Sequence, residues 1–268
     1  MSLDGARVLV VGASAGIGRA FGVAAARGGA DVVFAARRAD RLDDAVQEAG
    51  SGYAVRIDVC DEATIGEAID QAAARLGGID AVLYAVGFAR IARLQDQDAQ
   101  QWQDVLGPNV VGAALTVRAA IPHLSPGAIV AFCSSTSDDQ PRWGLSAYSV
   151  SKAALNRLVE GLRAEHRDTR FVRVTIGSTI GTEFGSNFTP ELVQQAFAHW
   201  VVNAQHTANM MQPGDVANVL TDLIATMRAN PNVDIPNLSI EPPGGPLTLP
   251  PTQDMVTKAY EALTPRVE

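Results

Sequence analysis

Two side chains one helical turn apart could move a proton. Tyr148 and Lys152, in the run Tyr148-Ser149-Val150-Ser151-Lys152, stand at i and i+4 near the start of a helical stretch and project from one face. A phenol titrating at about pH 10 is a poor acid–base catalyst at neutrality. An ammonium one turn away favours the phenolate and lowers that value. Tyr148 is therefore a candidate proton donor to a carbonyl oxygen, or acceptor from an alcohol. Many helices carry this spacing for packing alone, so its meaning rests on its companions. Ser135 lies thirteen residues before the tyrosine, after an apolar run, and Asn109 opens the helix predicted after the fourth strand. Each also has a plain structural reading: Ser135 as a turn residue, Asn109 as a helix N-cap.

A second group of residues suits phosphate. The run Gly12-Ala13-Ser14-Ala15-Gly16-Ile17-Gly18 follows an apolar strand and opens a helix. Glycines there let the backbone approach a pyrophosphate, and the helix offers free N–H groups and a positive dipole end. Small-residue turns also serve helix–sheet packing; the strand-before, helix-after context favours the nucleotide. An acid at the end of the second strand would bind a ribose 2′-OH and repel a 2′-phosphate. No carboxylate occurs between Asp31 and Asp40, and Arg37 and Arg38 follow the strand directly. Two guanidinium groups suit a 2′-phosphate, so NADP(H) is favoured and NAD(H) remains the alternative. Arg37 comes first; the bland reading makes both arginines a solvated helix start. Asp58, ending the third strand beside Val59, could accept from an adenine amino group or cap the next helix.

The elements that must position these groups are readable from hydrophobic runs. Strands are predicted at Arg7–Val11, Asp31–Ala36, Tyr53–Ile57, Ile79–Tyr84, Ala128–Cys133, Phe171–Ile176 and Val233–Ile240. Between them fall an Ala-rich helical stretch after the glycine turn to about Gly28, and others at Asp40–Ala49, Glu62–Leu76, Asn109–His123, Ser146–His166, Pro190–His206 and Pro213–Met227. Continuous apolar strands suit a parallel sheet buried on both faces. The expectation is an α/β, doubly wound Rossmann fold with a seven-stranded, mostly parallel sheet in one domain over residues 1–245. Prolines and glycines after Glu241 mark an extension at 246–268, with a short helix at Gln253–Leu263.

Composition narrows the function classes. The chain has 268 residues, a net charge of −8, 47% hydrophobic and 19% charged residues, which is globular and argues against a nucleic-acid partner. Cys60 and Cys133 cannot make a disulfide framework or a four-ligand zinc site, and are expected to be buried inert thiols. No His/Cys/carboxylate cluster has metal spacing, so no metal is expected. The histidines and the pair Asp138-Asp139 read as surface groups. No signal-peptide pattern precedes the first strand and no apolar run approaches the roughly 18 residues of a membrane span. The expectation is a cytoplasmic protein without a membrane partner.

Taken in order, Gly12 to Gly18, Asn109, Ser135, and Tyr148 with Lys152 resemble the short-chain dehydrogenase/reductase family over residues 5–240. The family's motifs are Thr-Gly-x3-Gly-x-Gly and Tyr-x3-Lys, with a Ser thirteen residues upstream and an Asn before that. The resemblance implies that Tyr148 is the acid/base. It further implies that Lys152 lowers its pKa and holds the nicotinamide ribose, that Ser135 polarises the substrate oxygen, and that Asn109 supports a water relaying protons to Lys152. It extends the cofactor contacts to Ser14, Ala15, Ile17, Val59, Ala85, Gly87, Ile180 and Thr182, and implies a homodimer or homotetramer.

Several positions depart from the family. Val11 replaces its Thr, Tyr84-Ala85-Val86-Gly87 replaces Asn-Asn-Ala-Gly, and Gly177-Ser178 replaces Pro-Gly. If Val11 and Ala85 face each other, apolar contact would replace the lost hydrogen bond. The segment 183–211 matches the family's substrate lid and carries Phe184, Phe188, Phe197, His199, Trp200, His206, Met210 and Met211. With Phe88 and Trp143, these suggest an apolar pocket for a hydrophobic ketone or secondary alcohol, though each could be ordinary core. Phe88, Trp143 and Phe184 are the substrate candidates. The alternative from another class is a dinucleotide-binding regulatory protein without turnover.

Overall fold

The computed structural model describes residues 2–185, 187–205, 207 and 209–245. The expected extension at 246–268, its helix at Gln253–Leu263, and His206 lie outside the described residues. Strands β1 (Arg7–Val11), β2 (Asp31–Ala36), β3 (Tyr53–Arg56), β4 (Ile79–Tyr84), β5 (Leu124–Ser135), β6 (Arg170–Ile176) and β7 (Asn237–Ile240) form one sheet in the order β3-β2-β1-β4-β5-β6-β7. Every ladder is parallel. This is a single Rossmann-like domain, and its strand order reverses between β1 and β4, where such sheets bind ligands beyond the strand ends.

The helices are α1 (Gly16–Arg27), α2 (Ala39–Ala49), α3 (Glu62–Leu76), α4 (Ala99–Leu106), α5 (Gly112–Ala120), α6 (Ser146–Glu165), α7 (Pro190–Val202) and α8 (Pro213–Ala229). Strand side chains alternate between two cores. Val8, Val10, Leu83 and Ala131 meet α1, α2 and α8 through Phe21, Leu42 and Leu220. Leu9, Val11, Val82 and Phe132 meet α3, α5 and α6 through Ile69, Val117 and Leu155. Burying a Val or Leu side chain this fully contributes about 1.5–3 kcal/mol each, so the central strands are the rigid platform of the site.

Several expectations need correction. β5 starts at Leu124 rather than Ala128 and ends at Ser135, because pairing with β4 and β6 extends it past Gly127. β7 is confined to Asn237–Ile240. Val11 and Ala85 do not face each other: Val11 pairs with Tyr84, so Ala85, one residue on, points to the opposite core. Asn109 does not open a helix. The helix starts at Ala99, behind a capping box of Asp98 and Gln101, and Asn109 sits inside a π-helical turn at Gly107–Val111. The helical run Ala99–His123 is also long and apolar enough to span a bilayer by composition (25 residues, mean hydropathy 1.3). Here Ala113, Thr116 and Val117 on that run are buried in the fold.

Candidate active site

One cleft lies beyond the C-terminal ends of β1, β4, β5 and β6. Ser135, Tyr148, Lys152 and Phe184 line it together with Gly12, Ser14, Ala15, Gly16, Ile17, Arg37, Arg38, Val59, Ala85, Gly87 and Thr182. Its floor at the α1 end needs glycine. A side chain at Gly12, which has φ +95°, would stand 2.9 Å from the Ala85 carbonyl carbon; one at Gly18 would stand 2.3 Å from the Gly12 oxygen. Ala15 precedes α1 without a side-chain cap, so the first N–H groups of that helix are unclaimed by side chains. Bare backbone, unclaimed N–H groups and nearby arginines fit the diphosphate of a dinucleotide.

The arginines differ. Arg37 is exposed at the cleft. Arg38 donates to both oxygens of Glu183 at 2.7 Å and to Ser14 Oγ at 2.8 Å. Asp58 does not cap α3. Its carboxylate accepts from the Cys60 N–H at 3.0 Å, and Asp61 supplies the helix cap. Asp58, Gly18 and Ile180 lie outside the cleft lining, whereas Val59 is in it.

At the other end, Tyr148 is only 7% exposed and Phe184 packs edge-on against its ring at 5.1 Å. Lys152 Nζ donates to the Cys133 carbonyl at 2.8 Å and lies 5.7 Å from the phenol ring centroid. Burial dominates the electrostatics of both groups. Burial pushes the Tyr148 phenol up to about 12, against the opposing pull of the Ser135 hydroxyl and the Arg142 guanidinium. Burial also pulls Lys152 down to about 8. Desolvation outweighs both of those pulls, and the cation whose charge favours the phenolate is Arg142.

Asn109 is fully buried and organises the loop after β4 rather than lining the cleft. Its Oδ1 accepts from Phe88 N at 2.8 Å; its Nδ2 donates to Phe88 O at 2.9 Å and to Ser151 Oγ at 2.8 Å. Tyr84, which stands where the family has an Asn, restores some of the polar bracing. Its hydroxyl donates to the Pro108 carbonyl at 2.6 Å, pinning the turn that carries Asn109. No sequence signal singled out that bond.

Of the substrate candidates, only Phe184 lines the cleft. Trp143 stacks on His199 at 4.8 Å, and Phe88 packs in the adjoining apolar cluster with Phe188 and Trp200. Arg142, Trp200 and Met210 line the cleft instead. Arg142 escaped sequence reading because nothing in a loop arginine's neighbours marks it as inward. Cys133 is buried, with its thiol pushed by burial up to about 12, but Cys60 is exposed because it follows β3 in the turn before α3. Asp138 is half-buried and accepts from Asn156, so it is not a free surface group. Among the described residues no group of three His, Cys, Asp or Glu is placed to hold a metal ion.

The family model for short chain dehydrogenases matches residues 6–192. A short chain dehydrogenase of Pseudocercospora fijiensis is 32% identical over 194 residues, 69% of this chain and 62% of its own length. Gluconate 5-dehydrogenase of Gluconobacter oxydans is 32% identical over 171 residues, 61% of this chain and 66% of its own. The chain thus spans under two thirds of the length of these relatives. A short chain dehydrogenase from Burkholderia cenocepacia, solved in complex with NADP, superposes with a TM-score of 0.77 at 25% identity, covering 90% of this chain and 98% of that one. The sheet order, the glycine floor and these matches together place the chain in the short-chain dehydrogenase/reductase family of nicotinamide-dependent oxidoreductases.

Proposed function

We propose that the protein is an NADP(H)-dependent oxidoreductase interconverting a largely apolar ketone and the corresponding secondary alcohol. The observation that carries this reading is the meeting of Tyr148, Ser135 and Lys152 at one end of a cleft whose other end holds Arg37 and Arg38. A relative in the family solved with NADP supports the cofactor choice. The bound nicotinamide would supply or accept the hydride. The chain's own groups handle the oxygen and its proton. Tyr148 Oη gives its proton to the carbonyl oxygen as negative charge develops there, or takes it back from the alcohol. Ser135 donates a hydrogen bond to the same oxygen. Lys152, fixed by the Cys133 carbonyl, holds positive charge beside the phenol, while Asn109 and Tyr84 keep the loop after β4 in place. Phe184 and Trp200 offer apolar walls in the cleft that would shield the reacting oxygen once substrate and cofactor are bound.

The pairing of Arg38 with Glu183 favours one second reading, the same chemistry with NAD(H), since it leaves a single uncommitted arginine for a 2′-phosphate. We further take the protein to act in the cytoplasm as a homodimer or homotetramer without a nucleic-acid partner, in keeping with its net charge of −8. Turnover of neutral ketones with NADPH and with NADH tests the function. Tyr148→Phe should lose about 10²–10⁴-fold in kcat while still binding NADPH. Unchanged turnover in that variant would overturn the mechanism.

A further inference from the structure

Arg142 is a cation inside the substrate end of the cleft with little to hold it. Its Nε is buried without a hydrogen-bond partner. Among the described residues its Nη2 reaches only Thr136 Oγ1, at a long 3.4 Å. Its Cζ lies 5.9 Å from the centroid of the Trp200 ring, and no described carboxylate forms an ion pair with it. Glu183, the acid in the cleft lining, is committed to Arg38, and Glu241, whose charge is felt at Arg142, is exposed and accepts from Ser239 Oγ. A buried donor without an acceptor is costly. Keeping a guanidinium with a buried unmatched N–H and one long bond beside the acid/base tyrosine is understandable where a ligand completes it.

We infer that Arg142 is the anchor for a carboxylate on the substrate, so that the natural ketone or alcohol is an oxo or hydroxy acid with an apolar body. A guanidinium presents two parallel N–H donors that match a carboxylate. Trp200 and Phe184 supply the apolar walls around it. A phosphate dianion would call for more than this one cation, because Lys152 is tied to the Cys133 carbonyl and Arg37 and Arg38 stand at the nucleotide end. The carboxylate takes no part in the bond changes: the carbonyl carbon gains the hydride, its oxygen gains the Tyr148 proton, and the acid group only fixes which way the ketone lies. This rests on the oxidoreductase reading above and refines its substrate.

The test compares levulinate, benzoylformate and para-acetylbenzoate, each against its methyl ester, with NADPH and NADH. At least one acid should exceed its ester in kcat/KM by about tenfold or more, and Arg142→Met should shrink that acid-to-ester ratio by about 100-fold, with Arg142→Lys intermediate. Benzoate should bind the wild-type protein in the presence of NADP, read by tryptophan fluorescence or calorimetry, and bind Arg142→Met at least tenfold more weakly. The inference falls if every ester is preferred to its acid, if Arg142→Met lowers acid and ester by the same factor, or if benzoate binds both proteins alike. Turnover of esters alone would leave the oxidoreductase reading standing and remove the carboxylate. Absence of turnover with every compound would remove the oxidoreductase reading, and the benzoate titration would still decide the anchor. Should Arg142→Met fail to fold, the wild-type acid-to-ester ratio and Arg142→Lys carry the decision.

Discussion

The two ends of the same sheet treat charge in opposite ways. At the end where the strands begin, Arg7 donates to both oxygens of Asp80, at 3.1 and 2.6 Å, to Ser125 Oγ at 2.6 Å and to the Gly77 carbonyl at 2.6 Å. Against the upward push of burial, the side-chain and backbone bonds from Arg7 and a bond from Ser125 hold the Asp80 carboxyl down to about 2. At the end where the strands finish, the shifts of Tyr148 and Lys152 are set by burial, up to about 12 and down to about 8, and Arg142 is drawn down as well. The Ser134 and Ser149 hydroxyls there are also buried without partners. One end spends its polar groups on each other and ties β1, β4 and β5 together. The other pairs Arg38 with Glu183 and Lys152 with the Cys133 carbonyl, but leaves Arg142 Nε and the Ser134 and Ser149 hydroxyls unmet, which costs stability and keeps them available.

The contrast can be broken first at Lys152. Lys152→Met should lose about 10²–10³-fold in turnover and yet unfold at a higher temperature at pH 7, by about 1 kcal/mol or more of stability. The native lysine binds its proton more weakly than the unfolded one. The wild type therefore carries the full cost below pH about 8 and gains stability as pH rises from there toward the unfolded value of 10.5. The variant's advantage should be largest below pH 8 and fade above it, as thermal melts across that range would show. A variant less stable than wild type at pH 7 would mean that the Cys133 contact outweighs the buried charge.

A smaller effect is expected at the nucleotide end. Arg37→Ala should weaken NADPH binding about 10–100-fold with little change for NADH, whereas Arg38→Ala should do less, because Glu183 already offsets that charge. Fluorescence titration of both cofactors measures this; equal losses for NADPH and NADH would remove the phosphate contact from Arg37.

The smallest effect belongs to the satisfied end. Asp80→Asn should cost about 1–2 kcal/mol at pH 7 and leave kcat unchanged, since the Arg7 pair lies at the opposite edge from the cleft. The native carboxyl has the lower pKa, so its contribution is complete above the unfolded value of 3.8 and disappears as pH falls toward about 2. Acid unfolding should accordingly be less steep in the variant. A large loss of turnover in Asp80→Asn would show that the two edges are not independent.

What the sequence made legible follows from which signals are local. Apolar runs such as Arg7–Val11 and Ile79–Tyr84 give the strands directly, and the spacing from Ser135 to Lys152 survives folding because β5 and α6 are each regular. Asn109 was misplaced because a π turn has no obvious sequence mark, although Asp98 and Gln101 carried a readable capping signature for the true helix start. The faces of Val11 and Ala85 depend on inter-strand register, which no single strand contains. The phenol's upward shift depends on total burial, a property of the assembled core. The inward setting of Arg142 depends on the loop after β5 folding against Trp200, a contact between residues far apart in the chain.

The bond between Arg38 and Glu183 joins residues 145 positions apart, one at the rim of β2 and one in the segment after β6. Anyone redesigning the coenzyme preference by replacing Arg38 would therefore also take a guanidinium away from Glu183, at the entrance to the second reactant's chamber and next to Phe184. Coenzyme swaps in this scaffold should be screened with Glu183 varied in the same library, because the two positions form a single engineering unit.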